Sequence, residues 1–284
     1  MKLCAVKHFL LQGLEGFWQV FQSFYSDKLF ESAVIFAPVD HLPVDCILDT
    51  CPISSEQARN GIIALARDLA GVAFSLNTKS SFQMFLDWFY PSCFTLFSRA
   101  LELWPFDPQV LSPVLKLLTE VVHNRNGRLM FDATIPMGYL LLSEMAKILV
   151  SSGSQLLPYF AQVPKESIFS HKIKPLTRLI NALRTTVAGN FANFAIFGLV
   201  GDESFEKAIE LGAQLLMCVS DEELRSYTKL ARAYFSLLEC LTQDHMVLLS
   251  SLDATVLRRV FDAVVVGVDS LGKPVVCSLA VHLI

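Results

Sequence analysis

Side chains suited to acid–base chemistry stand next to one another near position 244. The sequence there is Gln243-Asp244-His245, and a carboxylate beside an imidazole could form an acid–base pair. Adjacent residues on a helix point about 100° apart, so Asp244 and His245 cannot face a common substrate atom. We therefore interpret the three residues as the polar end of a helix and a turn that caps the next helix.

Cysteine is the second residue type that could do chemistry here. The sequence has seven scattered cysteines, namely Cys4, Cys46, Cys51, Cys93, Cys218, Cys240 and Cys277. No CxxC pair occurs, and zinc fingers or ribbons need ligands at such short spacing. Cys46 and Cys51 could pair or bind a metal, but His41 is the only histidine in their segment. Reduced structural thiols are favoured, which indicates a cytosolic or nuclear compartment.

A polar segment, His123-Asn124-Arg125-Asn126-Gly127-Arg128, follows a strongly apolar run. Asn126 and Gly127 suit a left-handed helix C-cap, and His or Arg side chains there can bond the last carbonyls of the helix. The segment is therefore either a structural turn or a loop that contacts a partner.

Four cations extend along about three turns of one predicted helix: Lys172, Lys174, Arg178 and Arg184. Such a row is usually a solvated face. In a chain with a formal net charge of −4, it could instead dock an acidic patch of another molecule.

Aromatic residues concentrate in one region of the chain, at Phe82, Phe85, Trp88, Phe89, Tyr90, Phe94 and Phe97. The simplest interpretation is that they form part of the core. The alternative is a hydrophobic groove that binds a peptide.

Phosphate-binding and catalytic motifs are missing from the sequence. Gly138, Gly198 and Gly201 fit no phosphate-binding fingerprint, and no GxSxG or HExxH motif occurs. We therefore predict that the chain is not an enzyme. We predict no catalytic, cofactor-binding or metal-ligating residues and no cofactor.

The composition limits the class of protein that must position these residues. Hydrophobic residues make up 53% of the chain and charged residues 18%, so a large core is available and a disordered chain is excluded. A mildly acidic chain without basic tracts is a poor candidate for binding nucleic acid. Mean hydropathy is +0.47, but no segment has the uninterrupted apolar length of a membrane-spanning helix. No convincing signal peptide begins the chain.

Hydrophobic periodicity predicts helices throughout most of the chain. The 3.6-residue spacing favours helices at about 57–76, 81–104, 137–150 and 165–188. Further helices are predicted to begin at Ser112 with Pro113 at the first position, at Asp202, at Asp253, and at a Ser220–Glu223 capping box or just after it. Strand-type alternation is absent from the sequence.

Helix pairs recur at intervals of roughly 40 residues, which is the length of a HEAT or armadillo unit. We therefore predict an all-α protein, an α-α superhelix or solenoid of antiparallel helix pairs. Residues 1–26 are predicted to begin the array, 27–56 to form an irregular loop or insertion, and 57–284 to form HEAT-like repeats. The segment 275–284 is apolar without a polar closing face, so we expect a truncated array or a last helix that docks on something.

Several segments, in order and at consistent spacing, resemble nuclear transport receptors of the exportin-7 and Ran-binding protein 17 type. The clearest are Arg67-Asp68-Leu69, Leu101-Glu102-Leu103-Trp104, Pro113-Val114-Leu115-Lys116-Leu117, Val122-His123-Asn124-Arg125, Asn193-Phe194 and Ser236-Leu237-Leu238-Glu239. The similarity extends from about Ile62 to Val268, with a weaker match over 9–26. The matched segment is similar to the central-to-C-terminal repeats of receptors that are far longer than this chain.

The resemblance implies a receptor of the importin-β superfamily, built from HEAT repeats, which binds protein cargo, Ran in its GTP form and nuclear pore proteins. It implies nucleocytoplasmic transport, with localisation in the nucleus, the cytoplasm and the nuclear pore, and neither nucleic-acid binding nor membrane insertion. Receptors of this superfamily principally engage Ran through N-terminal repeats, which have no counterpart here. The resemblance therefore assigns no cargo or Ran contact to particular residues. The alternative is a HEAT-repeat structural adaptor unrelated to nuclear transport.

Overall fold

The computed structural model describes residues 56–131, 135–189 and 191–245, together with positions 258 and 262. Every regular element in these residues is helical, so the predicted all-α fold is confirmed. The chain divides into two compact units, residues 1–65 and 66–284. Apart from positions 258 and 262, the helix predicted from Asp253 lies outside the described residues, as do the predicted features of 1–26 and 275–284. The insertion predicted over 27–56 also lies outside them, except for Glu56, which is the first residue of a helix.

Ten α-helices follow one another in the described part of the chain. They are α1 Glu56–Ser75, α2 Lys79–Phe89, α3 Ser92–Leu103, α4 Pro108–Val122, α5 Met137–Phe160, α6 Lys174–Val187, α7 Ala195–Val200, α8 Ser204–Met217, α9 Asp221–Ser226 and α10 Thr228–Asp244. A 3₁₀ turn at Arg125–Gly127 follows α4. A second 3₁₀ turn, Lys165–Ser167, and a π-helical segment, Phe169–Ile173, precede α6. None of these helices is long and apolar enough to cross a membrane.

The helix predicted over 81–104 is two helices in the structure, α2 and α3. Pro91 lies between them, and proline lacks the backbone N–H that a continuing helix would need. The predicted start of α4 at Ser112 is also wrong, because Asp107 caps this helix and Pro108 is its first residue. The Asp107 Oδ1 accepts a hydrogen bond of 2.8 Å from the Gln109 N–H. Both Asp107-Pro108 and Ser112-Pro113 carry the same cap signal, so the sequence alone could not separate them.

Other predicted helix starts agree more closely with the structure. Ser220 and Glu223 form the predicted capping box, although the helix that they open, α9, ends after six residues. The helix predicted from Asp202 begins two residues later, at Ser204, with Glu203 at the cap position. The apolar residues whose 3.6-residue spacing predicted these helices form buried stripes, which include Val114 and Leu118 of α4 and Leu237 of α10.

Within residues 66–284, the helices pair and then stack in two layers. The pairs are α3 with α4, α5 with α6, and α8 with α10. Helices α3, α5 and α8 pack against one another in that order and form what we call the first layer. Helices α4, α6 and α10 pack in the same way and form the second layer. This arrangement, in which each pair buries its apolar face against the next, is that of a helical-repeat array.

Candidate functional site

The turn after α4 is held by an arginine whose side chain is fully buried. Asn126 and Gly127 have left-handed φ values of 54° and 70°, so the chain reverses there. This reversal places the Arg128 guanidinium beneath the end of α4, where it donates to the carbonyl oxygens of Glu120 and His123. The predicted bond from an arginine to the last carbonyls of the helix is confirmed. The left-handed residues lie beyond the C-cap, which is His123, and not at it.

Arg128 also connects this turn to the preceding helices. It donates to the carbonyl oxygens of Ala73 and Leu76, at the end of α1, and it forms an ion pair of 3.1 Å with Glu120. Its guanidinium lies 3.9 Å from the centroid of the Phe82 ring in α2. Burial lowers the pKa of Arg128 from its ordinary value, and the Glu120 carboxylate opposes this change. The donors of Arg128 are thus used within the fold, which favours the structural-turn interpretation.

Asp202 connects α5 to α8, a role that the sequence did not reveal. Its Oδ2 accepts hydrogen bonds from the Tyr139 hydroxyl at 2.9 Å and the Ser143 hydroxyl at 2.7 Å, while its Oδ1 accepts from the Ser204 N–H at 2.9 Å. Burial acts to raise the pKa of Asp202, but these hydrogen bonds outweigh it and hold the pKa well below its usual value. The carboxylate therefore stays ionised and structural.

The Gln243-Asp244-His245 segment forms no catalytic dyad. His245 is buried, and its Nε2 lies 2.8 Å from the carbonyl oxygen of Val187, at the end of α6. The rings of Phe194 and Phe205 lie edge-on to the imidazole, with centroids 5.1 and 5.2 Å away. The Asp244 side chain is exposed and accepts a weak hydrogen bond from the thiol of Cys240. His245 is therefore a packed residue at the C-cap of α10, which agrees with the helix-end interpretation of the sequence.

The described cysteines are poor nucleophiles. Cys93, Cys218 and Cys240 are free thiols. Burial raises the pKa of Cys93 to about 12, and burial together with the Asp244 carboxylate raises that of Cys240 to about 12. No group of three or more His, Cys, Asp or Glu side chains capable of holding a metal ion occurs within the described ranges.

The aromatic region is mostly core, as the simplest interpretation of the sequence predicted. The rings of Phe82, Phe85 and Phe89 are buried, as are those of Phe94 and Phe97. Phe89 is central, because its ring centroid lies 5.3 Å from that of Phe85 and 5.1 Å from that of Phe94. Trp88 is 41% exposed at the edge of this cluster, and Tyr90 is partly exposed. The rings are thus used in packing α2 against α3.

The predicted row of four cations is split by the structure. Lys172 lies in the π-helical segment before α6 and forms a largely buried ion pair of 2.7 Å with Glu223 of α9, so it is not part of a solvated face. Lys174 and Arg184 are exposed on α6, and Arg178 is partly exposed. These three remain accessible to a partner, which keeps the docking interpretation open for α6.

Comparison with known proteins shows what the chain is similar to. The chain is 38% identical over 234 residues to Exportin-7-B of Xenopus laevis, which covers 81% of the chain and 21% of that protein. It is 38% identical over 228 residues to Ran-binding protein 17 of Homo sapiens and 33% identical over 228 residues to Ran-binding protein 16 of Drosophila melanogaster; each match covers 80% of the chain and 21% of the relative. The resemblance found in the sequence is confirmed.

The chain spans about a fifth of the length of these relatives. No protein-family model matches the sequence. No solved structure matches it either. The relatives' names refer to export and to binding of Ran. The residues described above are of two kinds: Arg128 and Asp202 connect helices, and the cations of α6 lie on an exposed helix face.

Proposed function

From the premise that this chain is of the exportin-7 and Ran-binding protein 17 type over about four fifths of its length, we propose that it is a segment of a nuclear transport receptor. In this role it binds protein cargo, Ran in its GTP form, or both, during transport between nucleus and cytoplasm. The receptor works in the nucleus, the cytoplasm and the nuclear pore, where it contacts pore proteins. It binds no nucleic acid, does not insert into membranes and catalyses no reaction.

The observation that carries this proposal is the identity of 38% over 234 residues to an exportin. A run of that length is too long to reflect one shared motif. The stacked helix pairs support the proposal, because such arrays bind partners along extended helix faces and need no catalytic group. The alternative of a structural adaptor outside nuclear transport is not favoured by these relatives.

A pull-down with Ran tests the proposal directly. The whole chain, immobilised on beads, is incubated with purified Ran loaded with GTP or with GDP, and bound Ran is quantified. We expect clearly more Ran to be retained in the GTP form, because a transport receptor distinguishes the nucleotide state. A chain extended at its N-terminus with the preceding part of the same receptor is tested in parallel.

The extended chain makes a negative result informative. If the extended chain retains Ran-GTP and the present chain does not, we infer that this segment serves cargo binding. The amount of cargo that the extended chain captures with and without Ran-GTP is then measured. Equal retention of Ran-GTP and Ran-GDP by both chains would contradict the transport proposal and favour the adaptor.

A further inference from the structure

The second layer presents a cationic surface, which we call the basic face. It consists of Lys116 of α4, Lys174 and Arg178 of α6, and Lys229 and Arg232 of α10. Arg178 is partly exposed and the other four are exposed. Lys174 and Arg178 are four positions apart on α6, and Lys229 and Arg232 are three apart on α10, so each pair lies on one side of its helix, opposite the buried stripe.

The five cations of the basic face have no ion-pair partner within the described ranges. Helix α6 contains no acidic residue. In α4, the Glu120 carboxylate is already bonded to Arg125 and Arg128. Lys229 stands in the first turn of α10, which holds no acidic residue, although a carboxylate would be more favourable than a cation near a helix N-terminus.

The cations of the first layer, in contrast, are all in ion pairs. Helices α3, α5 and α8 contain one cation each, and each is paired with a glutamate on the same helix or at its cap. The pairs are Arg99–Glu102 at 2.9 Å, Lys147–Glu144 at 3.6 Å and Lys207–Glu203 at 2.9 Å. The unpaired cations therefore concentrate in one of the two layers.

We infer that the basic face binds an acidic segment of a partner protein. Its charge is opposite to that of such a segment, and its cations do not have to break existing ion pairs before they bind. A single-stranded nucleic acid is a poorer fit, since Tyr234 and Phe235 of α10 are buried and α4 and α6 contain no aromatic residue on which bases could stack. The inference goes beyond the proposed transport function and does not depend on Ran.

Binding of a labelled poly-L-glutamate peptide to the whole chain, followed by fluorescence anisotropy, tests this inference. The test variant is K174Q/R178Q/R232Q. The matched control is R99Q/K147Q/K207Q, which removes the same number of charges from the first layer. We expect the test variant to bind about tenfold more weakly and the control to change less than about twofold, since each exposed charge contact contributes modestly. Binding of the native chain should weaken from about 50 mM to about 200 mM salt.

Circular dichroism checks that each variant keeps its helical content, and K174Q/R178Q replaces the triple variant if that one unfolds. A labelled poly-glutamine peptide and an oligo-dT strand are measured alongside. The inference is overturned if the native chain does not bind poly-glutamate, if both triple variants weaken binding equally, or if poly-glutamine binds as well. Tighter binding of oligo-dT, lost in the test variant, would instead identify a nucleic-acid surface.

Discussion

Single polar residues join neighbouring helices in this array, namely Arg128, which is buried, and Asp202, which is half-buried. Arg128 bonds carbonyl oxygens from α1 and α4 and stacks on Phe82 of α2. Asp202 accepts hydrogen bonds from Tyr139 and Ser143 of α5 and from the first backbone N–H of α8. Because a buried polar group is costly without its partners, such residues fix the position of one helix relative to the next.

Replacing Arg128 by Met should be strongly destabilising. The substitution keeps an apolar side chain of similar length but leaves the carbonyl oxygens of Ala73 and Leu76 without their donor. It also removes one of the two arginines bonded to the Glu120 carboxylate. We expect the free energy of unfolding, measured by urea denaturation, to fall by about 3–5 kcal/mol. The matched control is R125M, which removes a more exposed ion pair with the same glutamate and should cost no more than about 1 kcal/mol. Similar losses for both variants would contradict the buried role of Arg128.

The Asp202 network should give stability a specific pH dependence. Its pKa is lower in the folded chain than in the unfolded chain, so its contribution is present above about pH 4 and is lost as the pH falls further. We expect D202N to lose about 1–3 kcal/mol at pH 7, with a gap to the native chain that narrows below about pH 4. Urea denaturation from pH 7 to below about pH 4 measures this difference in the free energy of unfolding, with the exposed-site variant E206Q as control. A gap that stays constant with pH would exclude an ionised Asp202 as its source.

The contacts of Arg128 and Asp202 could be predicted from the sequence only in part. The sequence indicated that an arginine near residue 128 bonds helix carbonyls, because that pattern is local. It could not reveal that Arg128 reaches Ala73, some 55 residues earlier in the chain, or that Asp202 bonds Tyr139. Contacts between distant parts of the chain depend on how the helices stack, which periodicity does not specify.

At the scale of the helices, periodicity predicted which faces are buried better than where helices end. The stripes of α4, α8 and α10 are buried as predicted, because apolar spacing reports a whole face. The division of 81–104 at Pro91 and the start of α4 at Asp107 were missed, because a single residue decides each boundary.

Two helical glycines allow a matched test of how closely α5 and α8 approach. A Cβ atom added at Gly153 of α5 would lie 2.5 Å from the Leu211 Cδ1 of α8, whereas one added at Gly71 of α1 would meet nothing within 4 Å. We expect G71A to stabilise the chain by about 0.5–1 kcal/mol through helix propensity. G153A should instead destabilise it by about 1–3 kcal/mol through overpacking, as measured by urea denaturation.

A double variant identifies the cause of the Gly153 effect. If the clash with Leu211 is responsible, G153A should cost clearly less in an L211A background than in the native chain. Equal costs in both backgrounds would mean that the two helices do not meet as closely as described.

At the scale of the whole molecule, α6 is the most widely connected helix of the described array. It packs against α4 and α10 within the second layer and against α5 and α8 of the first layer. Helix α3 contacts α2, α4 and α5 but is not among the neighbours of α10. In an array whose stability comes from repeats and their nearest neighbours, a cavity should loosen the damaged helix and its direct neighbours first.

Hydrogen exchange measured by mass spectrometry should show which helices are loosened by a cavity. Leu179 of α6 and Leu101 of α3 are both buried, so L179A and L101A should each cost about 2–5 kcal/mol. We expect L179A to speed amide exchange in both α4 and α10, because α6 packs on both. L101A, the matched control, should speed exchange in α4 and α5 and leave α10 close to native. If both variants speed amide exchange in α10 to the same extent, the described helices unfold as one cooperative unit. The effect of a cavity would then not be confined to the damaged helix and its direct neighbours.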